Sequence, residues 1–311
     1  MSTPPAPTSG AEREAADTRR SPEVAGGSGR AGAVERRTTG QRLGKTALLA
    51  IVFLWCLIPF LWMFATSLKT TDEALASPVP WQGPWGWSNY LSVFDQGFGY
   101  NLRNSLVVAS MTTIICVGIG SLAAYAGARL ELGKKALILT GILTVSLFPP
   151  VSLVPPLYEV WRAVGLLNTY PGMWIAYIAF TLPLSIFILT TFFNAIPKDL
   201  EEAARVDGAT PFQTFYRVIL PLAAPGVGSA AILVFSYAWN EYLLASTFAP
   251  RDLGAQTVPV AIAGFSGSVQ FQEPVGTIMA ACVVVTVPMV FFVLILQKRI
   301  VAGLTAGGVK G

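Results

Sequence analysis

The chain has no histidine, few charged residues (12%) and three widely separated cysteines. Without histidine there is no imidazole general base, no histidine metal ligand and no Ser-His triad. Cys56, Cys116 and Cys282 each stand alone inside an apolar run, with no Cys-x-x-Cys spacing. They read as small buried hydrophobes, not as ligands or disulfide partners. A soluble domain carries roughly 25% charged residues. The shortfall here is concentrated in long uncharged runs. The net charge of +4 comes from basic residues placed between those runs, a pattern that does not point to nucleic acid.

The first segment is not expected to be a secretory signal. Such a signal has a short apolar core followed by a small-residue cleavage site. Residues 1–46 are instead mainly polar, basic and rich in Gly, Ala, Ser and Pro. The apolar run after them is long enough to span a bilayer. Tail 1–46 is expected to be disordered, because its composition buries too little apolar surface to offset chain entropy. A phosphate-binding loop is excluded as well. Gly44-Lys45-Thr46 resembles its end, but the glycine required five positions earlier is Thr39. The chain is therefore expected to bind no cofactor and no ATP itself.

What the sequence does contain is six apolar runs of about 20 residues or more, the length a membrane helix needs. They lie near 47–67, 105–128, 136–160, 171–194, 219–247 and 274–297. The expected fold is an all-α integral membrane protein with six transmembrane helices. Orientation follows from Lys and Arg, which favour cytoplasmic loops. They gather in tail 1–46, in the loop with Arg129, Lys134 and Lys135, in the loop with Lys198, Arg205 and Arg217, and at the C-terminus. The opposite side has only Lys69, Arg103, Arg162 and Arg251. Both termini are therefore expected in the cytoplasm. Loop 68–103 then lies outside, with Trp81, Trp85, Trp87, Tyr90 and Tyr100 suited to a membrane–water interface. It reads equally well as a plain connection or as a docking surface.

Two features inside the runs stand out. Pro149-Pro150 and Pro155-Pro156 each remove backbone donors, and in lipid the freed carbonyls need other partners. Either the outer half of the third span is irregular and faces protein or a wet cavity, or the prolines only kink it. Glu241 is the one charged residue well inside a predicted span. Counted from Ile219 it lies about 33 Å along the helix, near the outer interface. It is either an interfacial carboxylate or, with Tyr237, Trp239 and Asn240, part of a lining for a translocation pathway.

The loop between the fourth and fifth spans, 197–221, reads as two helices with a hard stop between them. Pro197 suits a first helical position. Asp199, Glu201 and Glu202 follow near the N-terminus, where negative charge is favourable. Gly208 ends the helix, and Thr210-Pro211 starts the next. Such a short helix, with small residues on one face, either fits a groove on a partner or lies on its own protein.

The run Glu202-Ala203-Ala204, three residues, Gly208, nine residues, Val218, one residue and Leu220-Pro221 resembles the EAA loop of binding-protein-dependent ABC importer permeases. It departs from the family pattern only in Val218, where the family has Ile. Asp207-Gly208-Ala209 is also typical. Asn104-Ser105, Leu147-Phe148-Pro149, Trp239-Asn240-Glu241 and the ending 303–311 resemble the carbohydrate branch, in particular the smaller maltose-type permease. The resemblance covers about residues 47–311.

It implies a type I importer permease fold with a core of five helices over 104–297, after a first helix at 47–67, and a tail at 298–311. It implies a bacterial inner-membrane location and four kinds of partner besides lipid. These are a second permease, two ATPase subunits that carry ATP and Mg, and an extracytoplasmic solute-binding protein. Glu202, Ala203, Ala204, Asp207, Gly208, Leu220 and Pro221 would form the ATPase-docking element. The solute would be a sugar, with Tyr237, Trp239, Asn240 and Glu241 as pathway positions. The C-terminal run with Lys310 is either a further ATPase contact or a frayed tail. An ion-coupled secondary transporter would bury ionisable groups near mid-membrane, and the runs offer little of that apart from Glu241 near the outer end. A membrane-embedded enzyme would need a polar catalytic cluster, which the runs lack.

Overall fold

The computed structural model describes residues 39–77, 79, 81–129, 135–250, 254–266 and 274–307. The remainder of tail 1–46 and residues 308–311 lie outside the described residues. By internal contacts the chain divides into Met1–Trp55 and Cys56–Gly311. Of the first unit only 39–55 are described, the start of helix α1 (Thr39–Ser67).

Every regular element among the described residues is helical. After α1 come α2 (Thr71–Ala76), α3 (Ser88–Asp95), α4 (Phe98–Arg129), α5 (Lys135–Ser146), α6 (Pro150–Ala163) and α7 (Tyr170–Ala195). Then follow α8 (Asp199–Val206), α9 (Pro211–Thr214), a π-helical turn (Phe215–Ile219), α10 (Leu220–Leu222) and α11 (Ala224–Asn240). The chain ends with α12 (Leu243–Phe248), α13 (Val258–Phe265) and α14 (Val275–Gly307).

Among the described residues, four helices are individually long and apolar enough to cross a membrane: α1 from Gly44, α4, α7, and α14 to Gln297. The other two expected spans are built from pieces. The third is broken at Leu147–Pro149 into α5 and α6. Pro149 is the N-cap of α6 and Pro150 its first residue, so this pair interrupts the span. Pro155 and Pro156 sit inside α6 without ending it. The fifth bends by 78° between Pro211–Leu222 and Ala224–Asn240. It stops at Asn240, short of the expected 247. The short helix α13 had no counterpart in the periodicity, and α14 runs on past the expected end of the sixth span to Gly307.

The centre of the second unit is the packing of α4 against α7 and α11. One face of α4 is lined by Ala109, Thr113, Cys116, Gly120, Ala124 and Ala128, all buried. Small residues at this spacing let helix backbones approach closely, which drives association where lipid gives no hydrophobic advantage. Opposite Gly120, a Cβ would lie 2.9 Å from Ser185 Oγ. Cys116 and Cys282 fit the expectation of packed hydrophobes, being buried and half-buried. Cys56 is exposed, because no residue of the apolar window in α1 is buried within the chain.

The α7–α11 contact is tighter still. A Cβ on Gly226 would sit 2.3 Å from the ring of Phe192. Gly226→Ala is expected to force the ring and the helix apart at a cost of about 1–3 kcal/mol, the usual penalty of overpacking. Thermal unfolding of the detergent-solubilised protein measures it, and an unchanged midpoint would show that the contact relaxes freely.

At one end of the unit, buried polar side chains tie the short helices down. Asn89 Nδ2 donates to the carbonyls of Ser67 (2.8 Å) and Lys69 (2.6 Å). Buried Lys69 donates to the carbonyls of Ser77 and Val79. Asn104 Nδ2 donates to Gln256 O, and Ser105 Oγ accepts from Val258 N. Asn104-Ser105 thus fixes the start of α13 against α4.

Candidate functional site

The loop expected to dock a partner is a firm structure. α8 begins at Asp199, with Lys198 as its N-cap, two residues later than Pro197 suggested. Pro197 precedes the helix instead of opening it. Asp199, Glu201 and Glu202 occupy the first turn, where carboxylates meet free amides and the positive end of the helix dipole.

The C-terminal stop is complete. Gly208 adopts φ +82°, a left-handed conformation in which a side chain is strained. Ala209 N donates to Ala204 O (2.9 Å) and Gly208 N to Arg205 O (3.0 Å), the two bonds of a Schellman motif. The restart is as definite. Thr210 Oγ1 accepts from Gln213 N, and Gln213 Oε1 accepts from Thr210 N (2.8 Å), with Pro211 first in α9. This reciprocal cap satisfies two amides at once. Beyond it, Pro221 has no amide to offer the carbonyl of Arg217, and the chain widens into the π turn before bending at Ala223.

α8 has an inner and an outer face. Glu201 and Ala204 are buried, whereas Glu202, Ala203, Val206 and Asp207 are exposed, Val206 at 87%. Phe212 and Tyr216 continue this exposed surface at 69% and 62%. The outer face is therefore mixed: Ala203 and Val206 lie among the exposed charges of Glu202, Arg205 and Asp207.

The inner face is held by a cluster that the sequence did not single out. Glu201 forms an ion pair with Arg129, the last residue of α4, and both side chains are largely buried. Tyr125 OH donates to the other carboxylate oxygen (3.1 Å), and Arg129 Nη2 donates to Ile196 O (3.0 Å). Tyr125 packs against Phe215 and Phe193, with centroids 5.0 and 6.1 Å apart. The i, i+4 spacing of Tyr125 and Arg129 was the one available signal. Nothing local pairs it with a residue some seventy positions away.

Of the docking positions, Glu202, Ala203, Asp207 and Gly208 lie exposed on α8 and its cap, Ala204 faces inward, and Leu220 and Pro221 sit apart from them on α10, just before the bend. The expected pathway positions do not form one surface. Trp239 is buried and stacked on Phe235 at 5.5 Å. Tyr237 is half-buried, edge-on to buried Tyr177 at 6.4 Å. With Leu143, Phe180, Thr181 and Ser185 it lines a cavity of about 470 Å³. Asn240 is exposed and donates to Ser236 O (2.8 Å). Glu241 accepts from Leu244 N and Ala245 N (2.9 and 3.0 Å), capping α12. No group of three or more His, Cys, Asp and Glu that could hold a metal occurs among the described residues.

Residues 116–305, which contain the whole of this loop, match the family described as binding-protein-dependent transport system inner membrane component. The chain belongs to this family. A relative from Mycobacterium tuberculosis, the trehalose transport system permease protein SugB, is 49% identical over 263 residues, covering 83% of this chain and 93% of its own length. The trehalose/maltose transport system permease protein MalG of Thermococcus litoralis is 44% identical over 268 residues, covering 85% and 94%. Among solved structures, a bacterial ABC transporter involved in the import of the acidic polysaccharide alginate aligns with a TM-score of 0.67 at 22% identity, over 82% of this chain and 95% of that chain. At that identity the likeness establishes the fold: that of an ABC importer permease. This inner membrane component is a multi-pass permease subunit and not itself an enzyme.

Proposed function

We propose that this chain forms half of the translocation pathway for a sugar, a di- or oligosaccharide, in an ATP-driven importer of the bacterial inner membrane. A second permease completes the pathway. Two ATPase subunits bind ATP and Mg, and an extracytoplasmic binding protein delivers the sugar. Tail 1–46, the EAA loop 197–221 and tail 298–311 face the cytoplasm, loop 68–103 faces outward, and 104–297 is the core. The distribution of Lys and Arg supports this orientation. The trehalose and maltose named for the relatives support the solute class.

The observation that carries the reading is the division of α8 into an anchored inner face and an exposed outer one. Glu202, Ala203, Ala204 and Asp207 belong to a helix too short to be stable alone. It is fixed instead by the Gly208 stop, the Thr210 cap and the buried Glu201. A preformed helix loses little entropy on entering a groove. Tyr237 lines the core cavity and is the pathway position most favoured by its surroundings. Trp239, Asn240 and Glu241, the other pathway positions, are not among the residues that line it.

Reconstitution of this permease with its partner subunits in proteoliposomes tests the reading. Radiolabelled trehalose and maltose are supplied with the loaded binding protein. ATP-dependent accumulation of either is the expected result. Accumulation driven by an ion gradient without ATP would establish the ion-coupled alternative. Import of an amino acid or metal ion in place of both sugars would overturn the solute class.

A further inference from the structure

We propose that the Glu201–Arg129 pair is a strut that passes movement of the docking helix into the membrane helices, which makes both residues positioning residues for coupling ATP hydrolysis to transport. The inference rests on the docking role proposed for α8. The side chains of Glu201 and Arg129 are only 6% and 11% exposed. One carboxylate oxygen takes the guanidinium Nε and the other takes Tyr125 OH. A second guanidinium nitrogen reaches Ile196 O, at the C-terminal cap of α7.

A single arginine therefore joins the end of α4, the end of α7 and the first turn of α8. Tyr125, Phe193 and Phe215 pack around the site. A buried charge pair cannot slip without leaving a charge unpaired in apolar surroundings, which is costly. Only Ile196, Pro197 and Lys198 connect α7 to α8, and a three-residue connection alone would flex. With the strut in place, displacement of α8 carries the ends of α4 and α7 with it. Glu202 faces the partner and Glu201 faces the membrane helices, so adjacent glutamates divide gripping from transmission.

The test uses the whole importer in proteoliposomes, with radiolabelled trehalose as the probe and Cys56, Cys116 and Cys282 replaced by serine. Glu201→Cys with Arg129→Cys, left unlinked, is expected to keep its ATPase subunits. Trehalose moved per ATP hydrolysed should fall about tenfold. Joining the two thiols with a short bifunctional methanethiosulfonate is expected to restore at least half of the wild-type ratio, because a covalent strut replaces the ionic one. Glu201→Gln, which keeps the side-chain volume, is the milder variant and should show the same fall.

The proposal is overturned if the unlinked or Glu201→Gln importer stays within twofold of wild type, or if linking restores nothing. It is also overturned if these variants lose the ATPase or fail to insert, since the pair would then serve docking or folding. Glu202→Lys separates the two ideas. If that variant sheds the ATPase while the Glu201 variants remain coupled, only the strut fails. If Glu202→Lys keeps the ATPase, the docking role fails first.

Discussion

Glu202→Lys is expected to strip the ATPase subunits from the purified complex while leaving membrane insertion intact. Glu202 lies on the exposed face of α8, in its first turn. The substitution reverses the charge there, places a cation against the positive end of the helix dipole and removes an acceptor that a partner cleft would meet. Inside a desolvated contact, truncating one member of a hydrogen-bonded charge pair costs about 2–5 kcal/mol, and like charges brought together cost several. Retention of the ATPase should fall by about tenfold or more, since 1.4 kcal/mol is already tenfold. Because Glu202 contributes nothing to the buried cluster around Arg129, the chain itself should fold normally. Co-purification from membranes, with insertion checked by extraction and protease protection, measures the effect. An inserted variant that retains the ATPase, and hydrolyses ATP in response to the loaded binding protein, would remove the docking role from α8.

Gly208→Val is expected to abolish docking where Gly208→Asn does not. At φ +82° a β-branched residue is a severe outlier, whereas asparagine visits this region readily. The site makes the comparison clean, because a Cβ at Gly208 meets nothing within 4 Å. Any loss comes from the backbone and not from a clash. Valine costs at least about 1–2 kcal/mol in place, and the chain escapes by giving up the Schellman bonds from Gly208 and Ala209. The helix end unwinds, and Asp207 and Thr210 lose their spacing. The valine variant should retain the ATPase at least about tenfold less well than wild type, and the asparagine variant within about twofold. Equal retention in both would mean that the stop is not needed for docking. Equal loss would mean that residue 208 acts through direct contact with the partner.

The sequence by itself carried the membrane character and the docking element. Apolar runs of spanning length are dictated by the thickness of the hydrocarbon layer, and α1, α4, α7 and α14 each form over one such run, α1 and α4 starting before it and α14 ending beyond it. The loop was legible for a similar reason. Caps and stops are local chemistry, so Gly208, Thr210-Pro211 and the acidic first turn of α8 can be read without knowing what lies nearby. The one local misreading, Pro197 as a first helical residue, is an error of two positions at a helix end, where boundaries depend on contacts.

Only the tertiary structure decided how the remaining runs are divided and which side chains meet. Hydropathy averages over a window and cannot say that Pro149-Pro150 breaks a span while Pro155-Pro156 does not. Nor can it say that the fifth run turns by 78° at Ala223, because neighbouring helices settle where freed carbonyls find partners. The same limit separates Glu201 from Glu202. In sequence they are equivalent acidic neighbours, but about 100° of helical rotation puts one against Arg129 and leaves the other exposed. Trp239 and Tyr237, two positions apart, are divided in the same way between the core and a cavity wall. Periodicity gives the angle between side chains on a helix, but only packing against α4 and α7 fixes which angle faces inward.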